Sequence, residues 1–195
     1  MQYILRLGCV TLFFEEAITY VLEYNNLRWN PPVPIPTLME RCDRYFFPSM
    51  GQALVHHCMV DEALRHVRLI GFDMGRWIEM SPDAARNSLR QNLRRYVRQI
   101  IEDDFFKHLY VIAFICYLSC YVVKRDKSEF TYFIVSEAAD FFYMDNYTSA
   151  RYTYLFERSY QYNITHRVLH EQSEDEGFYS DTGSEDDEDD FRRFL

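Results

Sequence analysis

Between Lys107-His108 and Lys124-Arg125 runs a stretch of 15 residues, Leu109–Val123, without a single charge. As a helix it reaches only about 22 Å, short of the roughly 30 Å hydrocarbon core of a bilayer. It also carries Tyr110, Tyr117, Ser119 and Tyr121. A helix of this length that is apolar on nearly every side is expected at the centre of a soluble bundle, wrapped by helices with one apolar face each.

The rest of the chain supplies such helices. Over residues 3–27, Ile4, Leu7, Val10, Phe14, Ile18, Val21 and Leu22 recur at spacings of three and four, which places Glu15 and Glu16 on the polar side. Pro31-Pro32-Val33-Pro34-Ile35-Pro36 enforces extended geometry beyond it. A short helix is expected at 37–46, and one or two more over 49–66 and 67–79. Ser81-Pro82-Asp83 is a start signal, with a capping residue, a first-turn proline and an acid at the positive helix end. From it follow the apolar stripe Leu89, Leu93, Tyr96, Val97 and a ladder of arginines, Arg86, Arg90, Arg94 and Arg98, with Arg95 beside it. The central helix is expected over 105–123, a sixth over 128–144 and a tyrosine-rich seventh over 147–160. With only 6 Gly and 6 Pro there is too little turn chemistry for a sandwich or barrel. The fold class read from these patterns is all-α: about seven helices around a central hydrophobic one.

The charge is unevenly placed. Of 30 acidic residues, 11 fall in 171–190, a stretch without Lys or Arg. Setting aside Arg192 and Arg193 from the 21 bases leaves 19 acids against 19 bases in residues 1–170. A neutral body with an acidic appendage does not have the basic footprint of a nucleic-acid binder. The division expected is a helical domain over 1–165 and a disordered acidic tail over 166–195. Ser180, Thr182 and Ser184 lie among or just before acids and suit an acid-directed kinase.

Chemistry is sparse. The five cysteines form no CxxC pair, and Cys116 and Cys120 share one helix face, as buried reduced thiols do. Asn146-Tyr147-Thr148 and Asn163-Ile164-Thr165 match the glycosylation triplet, with no secretory layout upstream. No phosphate loop or zinc pattern is present, and neighbouring His56, His57 and Cys58 diverge around a helix by about 100° each. The expectation is a non-enzymatic protein without cofactor or metal. The ladder has three readings: a solvated face, a lining that takes an acidic residue from a partner, or a nucleic-acid face.

Three segments resemble the Bcl-2 family of apoptosis regulators, in particular its divergent viral members such as those of herpesviruses. Leu12 to Trp29 resembles the family's first helix. Met80-Ser81-Pro82-Asp83-Ala84-Ala85-Arg86-Asn87-Ser88-Leu89 resembles the entry to the fourth, and Ile101 to Phe114 resembles the BH1 stretch. The family's Gly-Arg pair is absent: Lys107 and His108, or Leu109 and Tyr110, occupy its place. Tyr147 to Tyr152 stands where the BH2 motif is expected without matching it, and the BH3-like spacing around Leu54, Cys58 and Asp61 is broken.

The resemblance implies a Bcl-2-like bundle with an apolar groove that sequesters pro-apoptotic BH3 helices and so inhibits apoptosis of an infected cell. Groove candidates are Leu89, Leu93, Tyr96, Val97, Phe105, Phe106 and Leu109, with Arg98 or His108 meeting the ligand's aspartate. The alternatives are a closed-groove regulator that dimerises or binds other Bcl-2 family members, and an adaptor working through the acidic tail. No stable membrane anchor is expected. The location implied is host cytoplasm or nucleus, with mitochondria reached only through partners.

Overall fold

The computed structural model describes residues 2–30, 46–59, 68, 70–99, 104–144 and 149–176. All regular structure among them is helical: α1 (Gln2–Tyr24), α2 (Pro48–Met59), α3 (Met74–Ile78), α4 (Pro82–Gln99), α5 (Asp104–Val123), α6 (Glu129–Met144) and α7 (Ser149–Glu176). The all-α expectation is met in this sense. The expected helix at 37–46 and the proline run lie outside the described residues, as do Ser180, Thr182 and Ser184.

The chain divides into two compact units, 1–163 and 164–195. In the second, residues 164–176 are described, and they are helical. This differs from a seventh helix ending near 160 and a tail beginning at 166. The turns past 160 are rich in polar residues that give no apolar period to read, while containing neither Gly nor Pro to stop a helix before Gly177.

In the first unit, α1 packs against α2, α5 and α6, and α5 also packs against α2, α4 and α6. The central position of α5 follows from the apolar run. Val111, Ile112, Ala113, Phe114, Ile115, Cys116, Leu118 and Val122 are all buried. Helical continuation back to Phe105 gives 19 residues apolar and long enough to cross a membrane, more than the 15 of the uncharged run, and 72% of that window is inside the protein. Phe114 is stacked on Tyr96 of α4 at 5.1 Å and meets Phe72 edge-on at 5.9 Å.

Two helix ends share one device. The amide of Leu27 donates to Leu22 O at 2.8 Å with Asn26 at φ 56°, and the amide of Lys127 donates to Val122 O at 3.0 Å with Asp126 at φ 57°. These are Schellman closures with Asn or Asp in the left-handed position usually held by glycine. The α1 closure lets the chain fold back so that the Trp29 indole N–H donates to Thr19 Oγ1 at 3.1 Å and its ring lies 6.2 Å from that of Tyr132. Helix α2 approaches α1 closely at Gly51, where a β-carbon would fall 2.5 Å from the ring of Tyr20.

One residue on α1 departs from the sequence reading. Glu15 is buried rather than on a polar face, because α1 is covered by three helices and has no broad solvent side. Burial, with the adjacent Glu16 adding to it, pushes the Glu15 carboxyl up from 4.5 to about 7. A proton held more tightly in the fold than in the unfolded chain stabilises below the ordinary carboxylate range, and that contribution is lost as pH rises through about 7. Stability should therefore decline between pH ~5 and ~8, and Glu15→Gln should flatten the decline. At pH ~8 the variant should exceed the wild type by on the order of 1–3 kcal/mol, with little difference at pH ~5. Urea unfolding at the two pH values checks this; parallel curves for the two proteins would remove Glu15 as the cause.

Candidate groove and its charges

The residues expected to line a groove come from α4 and the start of α5, and they fall into two groups. Leu89, Leu93, Tyr96, Phe105 and Leu109 are buried, none more than 3% exposed. Val97 and Phe106 are half-buried and pack against the same core. Periodicity correctly places Leu89, Leu93 and Tyr96 on one face of α4. That face is turned into the protein rather than towards a free partner.

The chain itself covers the entry to α5. Phe105 lies 6.3 Å from the ring of Tyr162 and 5.6 Å from the Arg158 guanidinium, and Phe106 meets Tyr162 edge-on at 6.1 Å. Both covering residues belong to α7. The helix is fixed there in part by Asn163, whose amide nitrogen donates to Ser49 O at 2.7 Å at the start of α2. This half-buried asparagine, already committed to a carbonyl, is a poor glycosylation acceptor; Asn146 lies outside the described residues.

The two candidate charges behave differently. His108 is buried, with its ring 6.3 Å from Phe142 of α6. Arg98 is exposed, but it is nine residues beyond Leu89. At about 3.6 residues per turn that is the opposite side of α4. Arg98 is therefore not set beside Leu89 and Leu93 to receive a ligand carboxylate there, and His108 is turned into the protein.

The arginine ladder is instead partly consumed inside the protein. Arg90 donates from Nε to Glu137 Oε2 at 2.8 Å and from Nη2 to Glu137 Oε1 at 2.9 Å. Arg86 adds an ion pair at 3.4 Å to the same carboxylate. Glu137, on α6, has a side chain only 3% exposed, while both arginines remain nearly half exposed. The carboxylate holds the Arg90 guanidinium above its ordinary pKa. Arg95 donates to Ile70 O at 3.1 Å, while Arg94 and Arg98 stay exposed.

Sequence reasoning missed Glu137. A signal was present: the residue interrupts the apolar face Ile134, Ala138, Phe141 of α6, where a carboxylate needs a cationic partner, and five arginines stand on one helix.

Other chemistry is limited. Among the described residues no three His, Cys, Asp or Glu come together as metal ligands, and the side chains of His56, His57 and Cys58 lie outside the description. Cys116 and Cys120 are buried and not in a disulfide, and burial pushes the Cys120 thiol up to about 12, away from nucleophilic use. An open cavity of ≈ 510 Å³ lies at the end of α1, lined by Glu23, Asn26, Arg28, Trp29 and Asn30 among others. None of the expected site residues reaches it. No protein-family model, curated protein or solved structure matches the chain.

Proposed function

We propose that the chain is a viral, Bcl-2-like regulator of host apoptosis that acts by binding protein helices, and that its groove residues are held in a closed arrangement. The carrying observation is the burial of Leu89, Leu93, Tyr96, Phe105 and Leu109 beneath the protein's own packing, with Tyr162 and Arg158 over Phe105. On this reading the partners are pro-apoptotic BH3 helices or other Bcl-2 family members, including a second copy. A BH3 helix enters only when α7 yields at the start of α5. Ligand binding then carries the cost of that displacement, so affinity is lower than an open groove of the same residues would give.

Titration of the full chain with a panel of labelled BH3 peptides tests this, with the association rate recorded alongside the affinity. Saturable binding is expected, at an observed rate that levels off as peptide concentration rises, because opening precedes docking. Replacing Tyr162 with alanine should speed association. Absence of binding at ~50 µM across the panel, with helicity intact, would sink sequestration, since even weak helix-in-groove partners register there. Regulation through another surface, or through the acidic tail, would then be the surviving reading.

A further inference from the structure

The outward face of α4 is independent of the candidate groove, and it carries the part of the arginine ladder that forms no ion pair among the described residues. We propose that this face docks an acidic helical segment of a partner protein, with Arg94 and Arg98 as the paired contacts.

Three observations support the assignment. First, the ladder divides into an inner and an outer half: Arg86 and Arg90 are spent on Glu137. Arg94 and Arg98 are exposed, and neither has a carboxylate within ion-pair distance among the described residues. Second, these outer rungs stand opposite the stripe Leu89, Leu93 that faces the core. Third, exposed Asn87 and Gln91 lie on the same strip and add neutral hydrogen-bonding groups to the two cations.

The chemistry selects the partner. Arg90 demonstrates the fork-to-carboxylate geometry on this very helix. Residues four apart on a helix stand about 5–6 Å from one another, so the matching ligand carries carboxylates at the same i, i+4 spacing. A nucleic acid fits less well. The body of the chain is charge-balanced, and two guanidinium groups do not make the extended basic track that phosphate backbones need.

The test is fluorescence anisotropy of the full chain with a labelled alanine-based helical peptide carrying Glu pairs at i, i+4. The same peptide with every Glu replaced by Gln is the control. Saturable binding of the Glu peptide is expected at about 50 mM salt, weakening at about 300 mM. In R94Q/R98Q the affinity should fall about 10-fold or more. R95Q removes a charge from the same helix but from a guanidinium committed to Ile70 O, and it should leave affinity within about 3-fold. Circular dichroism melts confirm that each variant is folded. Three results overturn the proposal: equal binding of the Gln peptide, unchanged affinity in R94Q/R98Q, or a DNA duplex of matched charge that binds as well as the Glu peptide.

Discussion

Replacing Arg86 and Arg90 together with alanine should destabilise the fold by about 3–5 kcal/mol. The loss comes from the partner left behind. Glu137 is almost fully buried on α6, and its two oxygens are held by the Arg90 fork with Arg86 alongside. Without the guanidinium groups the carboxylate is left in an apolar setting with no cationic partner. The reverse deletion is milder: E137A leaves two half-exposed arginines that water can solvate. Replacing all three charges, as R86A/R90M/E137L, should recover most of the stability, because an apolar contact of similar volume carries no desolvation penalty. Urea unfolding of the three variants gives the ordering. A loss below ~1 kcal/mol for R86A/R90A would place the clasp among ordinary surface pairs.

The second large effect concerns Trp77. It is wholly buried, its indole N–H donates to Ala85 O at 2.8 Å, and its ring is flanked by Phe72 at 5.7 Å and Phe130 at 5.3 Å. Helix α3 has only five residues, too few to hold together by its own hydrogen bonds. The indole is what ties that turn to the first turn of α4 and to α6. Trp77→Ala removes the contact area and the tie together, with an expected cost of about 3–5 kcal/mol. Trp77→Phe keeps part of the volume and should cost less, about 1–2 kcal/mol for the lost hydrogen bond and the smaller ring. Chemical denaturation followed by circular dichroism gives both values. A Trp77→Ala variant within ~1 kcal/mol of wild type would mean that the site collapses around the gap.

The helices were legible wherever a local rule decides them. Ser81-Pro82-Asp83 marks the start of α4 to the residue, and the stripe Leu89, Leu93, Tyr96 is the face α4 buries. The uncharged run led to the central helix because such a segment has no other stable place in a folded domain. Charges were harder, because their meaning depends on which helix lies opposite. A ladder read along α4 alone gives one continuous polar face; only the approach of α6 splits it at Glu137. Glu15 fails for a related reason, since the periodic reading assumes one buried side and α1 has three neighbours. At the groove, the sequence marked which residues are apolar and aligned. Whether such a face meets a ligand or the chain itself depends on residues far along the sequence: at Phe105 the covering residue, Tyr162 of α7, lies more than fifty residues downstream.

The crossing of α1 and α2 bears on how this chain tolerates variation. A β-carbon at position 51 would sit 2.5–2.7 Å from three carbons of the Tyr20 ring, closer than any real contact allows. The two positions are consequently coupled in order as well as in identity. A change at Gly51 made first meets the Tyr20 ring, so the ring or the helix must give way. The same change made after Tyr20 has become smaller no longer meets those ring carbons. Drift along this interface therefore has a favoured order of steps, in which the aromatic residue recedes before the glycine grows.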